Sequence, residues 1–119
     1  MDRIAFITHD GREILLLDFS SLRANEAIAL IEPAKAVISS KPQNSVLTLT
    51  DVTDLRFNEE LSQKMVEFTT HNKPYVRAAA VVGITGLRQV IYNAVIAFSK
   101  RHIATFDTRD DAKKWLVAQ

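Results

Sequence analysis

The stretch from Tyr75 to Lys100, YVRAAAVVGITGLRQVIYNAVIAFSK, sets the tightest limit on what this chain can fold into. Its first half is a short, Val-rich apolar run between Pro74 and Gly83, the pattern of a buried strand. Its second half places Leu87, Val90, Ile91, Ala94, Val95 and Phe98 at spacings of three and four, which gathers them on one face of a helix that packs back on the strand. Between the two lies the tight turn Gly83-Ile84-Thr85-Gly86. Strand, turn and helix make half of a βαβ unit, and a parallel sheet places such a turn on the edge where these folds bind ligands.

The remaining segments extend this unit. Ile4 to Thr8 and Glu13 to Phe19 are β-rich runs around His9-Asp10-Gly11-Arg12, where Asp-Gly supplies the positive φ of a hairpin turn. After Phe19 the pattern turns helical, with Ser20, Ser21 or Asn25 as candidate caps and Leu22, Ile28, Ile31, Ala34 or Lys35, and Ile38 as the stripe. Pro33 interrupts that stripe and predicts either a kink near Leu30 or two short helices in sequence. Ser45 to Thr50 reads as a strand with Asp51 at its carboxyl end. A loop over 52–57 then leads to Asn58 as N-cap, Glu59 and Glu60 in a dipole-favoured first turn, and a buried face of Leu61, Met65 and Phe68. His102 to Phe106 predicts a last strand, and Thr108-Arg109-Asp110-Asp111 has the form of a capping box opening a terminal helix pinned by Ala112, Trp115 and Leu116.

The predicted order is ββαβαβαβα: an α/β fold with a mostly parallel sheet of about five strands, an N-terminal antiparallel hairpin and about four helices. No linker divides it, and 119 residues with 47% apolar content suit one domain over 1–119. Fifteen basic against fourteen acidic residues give a net charge of +1, without the clustered basic face of a nucleic-acid binder. The absence of Cys excludes thiol catalysis, disulfides and Cys-based metal sites. The opening MDRIAFITHD lacks the layout of a signal peptide, and no apolar run approaches the roughly 20 residues of a membrane span. A cytoplasmic protein without a transmembrane segment is the expectation.

HNKPYVRAAAVVGITGLRQVIYNAV, with the later FDTRDDAKKWL, resembles the SpoIIAA-like family, often described as STAS/SEC14 domains, over nearly the full length. The resemblance implies a βα superhelix related to anti-sigma-factor antagonists and, more distantly, to lipid-carrying SEC14 domains. In the antagonists a phosphorylatable serine begins the helix after the third strand. The corresponding stretch here is Phe57-Asn58-Glu59-Glu60-Leu61: the switch serine is absent and two carboxylates stand in its place. What the resemblance implies is a regulatory module without the phosphoserine switch.

Asp51 and Asp54 at one strand end, with Asp107 at another, are candidates to gather carboxylates for magnesium, but their spacing suits loop residues that bond nearby amides. Gly83, Thr85 and Gly86 before a helix, with Arg88, form a candidate anion-binding turn; it matches neither phosphate-loop nor dinucleotide fingerprints, and a structural turn is the competing reading. His9, His71 and His102 lack ligand-like spacing, and no Ser sits in a nucleophile-elbow pattern. No catalytic residue, metal or cofactor is assigned.

The first functional reading is therefore a non-enzymatic protein-interaction module with a protein partner or homodimer; the second is capture of a small apolar or lipid-like ligand. Tyr92 and Ile96, four apart and off the inward stripe, join Arg88 as the candidate interaction surface, with aromatic and Arg character common at interface centres. The alternative is that the first helix or last strand covers them within the monomer.

Overall fold

The computed structural model describes residues 2–84, 89, 93 and 103–119. The chain opens with β1 (Ile4–His9) and β2 (Arg12–Asp18), joined antiparallel through Asp10 and Gly11, whose φ values of 49° and 77° make the two-residue hairpin turn. Then follow α1 (Ala24–Ser39), β3 (Val46–Asp51), α2 (Glu59–Asn72), β4 (Val76–Val82), β5 (Ala104–Phe106) and α3 (Arg109–Val117). The strands lie in the order β1-β2-β3-β4-β5, with every neighbouring pair from β2 onward parallel. The expected mixed sheet with an N-terminal antiparallel hairpin is thus present, with three helices among the described residues. The further helix expected over 87–98 lies outside them, except that Gln89 and Asn93 are helical and exposed, with Gln89 Nε2 donating to Asn93 Oδ1 at 3.0 Å.

Strand pleating divides the core into two layers. On one face Leu15, Leu17, Val46 and Ala79 meet Ala27, Ile31, Ala34 and Ile38 of α1 and Leu61, Met65 and Phe68 of α2; Phe19 contacts Phe68 edge to face at 6.5 Å. On the other, Ile14, Leu47, Leu49, Ala80 and Val82 meet Ala112 and Leu116 of α3. Adjacent residues such as Ile14 and Leu15 are both fully buried because each has a helix layer opposite it.

Three local expectations are corrected. The cap of α1 is Arg23, not a Ser or Asn25, and Glu26 Oε1 accepts the Arg23 N–H at 3.0 Å. Pro33 does not split this segment: α1 runs unbroken through it. The proline ring and Ala29, whose carbonyl loses its usual partner, are both on the exposed side, so the missing bond does not leave a buried polar group unpaired. Trp115 is half-buried, tilted against Phe106 at 5.6 Å between ring centroids, whereas Ala112 and Leu116 carry the buried face of α3.

At nine residues α3 is too short to persist alone. Thr108 Oγ1 caps it by accepting the Asp111 N–H at 3.1 Å. At its far end Arg12 Nη1 donates to the Val117 and Gln119 carbonyls at 3.1 and 2.7 Å, covering groups that a helix terminus leaves unpaired. No helix among the described residues is long and apolar enough to cross a membrane.

Candidate functional site

Parallel pairing brings the carboxyl ends of β2, β3 and β4 to one edge, the place where open α/β sheets hold their ligands. Asp18 and Asp51 are the last residues of β2 and β3 and stand opposite one another in the register. Two carboxylates on neighbouring strand ends repel unless cations or N–H donors compensate them. Here both kinds of partner are supplied.

Arg109, the first residue of α3, donates from Nε to Asp51 Oδ2 at 2.8 Å, and its Nη2 lies 3.3 Å from Asp18 Oδ1. Thr53 N–H occupies Asp51 Oδ1 at 2.9 Å. Asp51, only 6% exposed, therefore has a donor on each oxygen. Asp18 Oδ1 accepts from the Ser20 hydroxyl and, at 3.0 Å, from the Ser20 N–H. Arg3 Nη1 lies 3.7 Å from the same oxygen and donates to the Ser20 and Asp18 carbonyls at 2.8 and 3.3 Å.

Burial opposes the charge on Asp18, but the Ser20 hydroxyl and N–H, followed by Arg109 and Arg3, outweigh it and hold the carboxyl below its ordinary range. Burial likewise disfavours the Arg109 guanidinium, and hydrogen bonding and charge from Asp51, then Asp18, overcome it and raise its pKa. The cluster ties the amino-terminal segment, two strand ends and the last helix together. Both Asp51 oxygens and Asp18 Oδ1 are engaged by these donors, an arrangement that suits a structural lock.

The remaining expected site residues separate around this lock. Gly83 follows β4 with φ of 94°, and a Cβ there would come within 2.5–2.8 Å of Thr53 Oγ1, N and Cα. The close approach to Thr53 gives this glycine a packing reason. Thr85, Gly86 and Arg88 of the anion-binding turn, and Tyr92 and Ile96 of the interaction surface, lie outside the described residues. Asn58 caps α2 as expected, its Oδ1 accepting the Leu61 N–H at 2.8 Å, and Glu59 and Glu60 are exposed in the first turn.

Asp54 and Asp107 do not join Asp51. Both are exposed, Asp54 in a left-handed turn with φ of 56°. Among the described residues no three His, Asp or Glu side chains converge as a metal site. His71 Nδ1 is 2.9 Å from Asn72 Oδ1, and His9 Nε2 is 3.7 Å from Asp10.

At the opposite edge a cavity of about 260 Å³ is lined by Phe6, Arg12, Glu13, Lys41, Ser45, Val46 and Leu47. Its charged wall differs from the closed apolar chamber that capture of a lipid-like ligand requires.

Asp18, Arg3 and Arg109 were missed by motif reading because no local motif joins them. The usable signal was topological: Asp18 and Asp51 each end an apolar run, and parallel neighbours bring such ends together.

Compared with known proteins, the chain matches no family, no curated protein and no solved structure.

Proposed function

We propose that this chain is a non-enzymatic protein-interaction and regulatory module of the STAS type, with a SpoIIAA-like arrangement of its βα units and without a phosphoserine switch. The hairpin followed by parallel βα units agrees with that arrangement. So does Asn58 at the start of α2, where the antagonists carry their serine and where this chain exposes two permanent carboxylates. The engaged Arg109–Asp51–Asp18 cluster supports a binding role over a reaction at the sheet edge.

The observation that carries the interaction reading is the exposure of Gln89 and Asn93 in helical conformation. In a regular helix Ile96, seven after Gln89 and three after Asn93, falls on their stripe, with Tyr92 beside it. The sequence thus offers Tyr92 and Ile96 at helical spacing from two exposed polar residues, the mix of residue types found at interface centres. The test is Tyr92→Glu with Ile96→Glu, followed by thermal melting and by sizing across protein concentration. The reading expects a folded double variant that loses self-association or a co-purifying partner. Unfolding of the variant, or a wild type that is monomeric and partnerless, overturns it.

A further inference from the structure

The cavity beside the start of β3 is separate from both the ion-paired lock and the Tyr92 and Ile96 stripe, and it sits in a fork of the sheet. The β2–β3 ladder begins at Leu15 and Thr48. Carried back, the same register would join Ile14 to Leu47 and then Glu13 to Val46, but neither pair forms. Residues from both sides of this gap line the cavity: Arg12 and Glu13 on β2, and Ser45, Val46 and Leu47 at the start of β3.

The two prongs are held apart by bonds to their other neighbours. The Ser45 and Val46 N–H groups both donate to the Tyr75 carbonyl, at 3.0 and 3.1 Å, and the Asn44 N–H donates to the Pro74 carbonyl at 2.9 Å. These bonds draw the start of β3 toward β4, at the point where the β3–β4 register shifts between Val46 and Leu47. On the other side Arg12 pairs with His9 at the hairpin, and its side chain is tied to the end of α3. The fork is therefore built into the strand geometry.

The phase of the ladder shows which backbone groups face the gap. The Phe19 N–H donates to the Asp51 carbonyl at 2.9 Å. Backbone groups alternate sides along a strand, so Glu13, Leu15 and Leu17 direct theirs toward β3, while Leu47 and Leu49 direct theirs toward β2. A continued ladder would join the Leu47 N–H to the Glu13 carbonyl. In the fork that bond is not made, although Leu47 is only 2% exposed. A buried N–H normally finds a partner, and this one opens on the cavity.

The side chains add charges of both signs. Lys41 follows α1, with its N–H on the Ile38 carbonyl at 3.1 Å and its Nζ 4.6 Å from the Phe6 ring centroid. Among the described residues neither Lys41 Nζ nor the Glu13 carboxylate has an ion-pair partner, and the two do not pair with each other. Arg12 adds a second cation, with Nη1 already occupied by the Val117 and Gln119 carbonyls.

We infer that this fork binds a small acidic α-amino acid, a ligand with two carboxylates and one ammonium. Two cations and one carboxylate on the wall complement that charge set. Lys41, Arg12 and the Leu47 N–H receive the carboxylates, and the Glu13 carboxylate and carbonyl receive the ammonium. The volume of about 260 Å³ falls just below the roughly 300–1,000 Å³ of pockets for drug-sized ligands, which suits a smaller molecule of this class. The interaction reading is not needed for this site.

The test is an amide NMR titration of the wild type, Lys41→Met and Glu13→Gln with L-glutamate. Glutarate, which keeps both carboxylates and lacks the ammonium, is the second probe. L-Glutamate is expected to move the Leu47 and Glu13 amide signals of the wild type saturably, with a Kd of about 1 mM or below. Lys41→Met should weaken it at least about tenfold, as loss of a charge-assisted bond implies. Glutarate should bind the wild type at least about tenfold more weakly than L-glutamate, and Glu13→Gln should weaken L-glutamate without weakening glutarate.

The wild-type titration and the comparison of the two probes decide the matter even if a variant fails to fold. No saturable shift up to about 20 mM L-glutamate, far above that Kd, overturns the inference, as do shifts that leave the Leu47 and Glu13 amides unmoved. Glutarate binding as tightly as L-glutamate, or a folded Glu13→Gln that binds L-glutamate unchanged, would reduce the fork to a general anion site and overturns the amino-acid assignment.

Discussion

Replacing Gly83 with Ala tests whether the turn after β4 is there for packing. Two costs can be worked from the structure. The φ of 94° places an L side chain in a region that costs about 1–2 kcal/mol. The new Cβ would also stand 2.6 and 2.8 Å from Thr53 N and Cα, backbone atoms that cannot rotate out of the way. Thr53 is itself held, by its N–H on Asp51 Oδ1 at 2.9 Å and by the Ser21 N–H donating to its carbonyl at 2.8 Å. Relieving the clash sacrifices at least one of these bonds, about 1 kcal/mol each. Against this, alanine restricts the unfolded chain and returns about 0.4–1 kcal/mol. The net expectation is a loss of about 1–3 kcal/mol, or a fall in Tm of roughly 5–10 °C for a chain of this length. Urea unfolding followed by Trp115 emission, with the indole against Phe106 in the folded state, measures it. A loss below about 0.5 kcal/mol, the range of ordinary surface changes, would refute the packing argument.

Replacing Glu59 and Glu60 together by Gln should cost about 1 kcal/mol or less, as exposed first-turn charges do; a loss several times larger in a urea melt would show that the pair is engaged elsewhere. The Asp18 carboxyl is held below its ordinary value of 3.8, so its contribution to stability is fully present above that pH and is lost as pH falls through its folded-state value. Asp18→Asn should therefore flatten the decline of stability below about pH 4, and an unchanged acid limb would contradict the assignment.

Elements set by local chemistry were legible in the sequence. Asp10-Gly11 announced its hairpin, Asn58 and Thr108 announced their helices, and Ser45 to Thr50 announced the strand found at Val46–Asp51. Where several caps compete, the choice is tertiary: Phe19 and Leu22 are buried, and the Ser21 and Arg56 amides bond the Thr53 and Leu22 carbonyls, which delays α1 until after Arg23. Of the two outcomes expected at Pro33, a split into two helices does not occur, because propensity does not say which side of the helix faces water. The candidate site was the least legible part. Asp18, Asp51 and Arg109 are separated by long stretches of chain, and only the parallel order of β2 and β3 makes the first two neighbours. Sequence spacing along one helix or strand carries no such information.

The central claim is that an ion-paired lock joins the carboxyl ends of β2 and β3 to the start of α3. A double-mutant cycle between Arg109 and Asp51 tests it most directly, using Arg109→Met, which keeps the apolar stem, and Asp51→Asn. Arg109 is partly exposed while Asp51 is nearly buried, so the pair lies between exposed bridges worth about 0–1 kcal/mol and buried ones whose disruption costs about 3–5 kcal/mol. Arg109→Met alone should cost about 2 kcal/mol, because it leaves the Asp51 carboxylate buried with the Thr53 N–H as its remaining donor in the cluster. Adding Asp51→Asn should recover part of that loss, with a coupling energy of at least about 1 kcal/mol by urea unfolding at neutral pH. Additivity within about 0.5 kcal/mol would mean that Asp51 does not depend on Arg109, and the lock would not be what holds this edge.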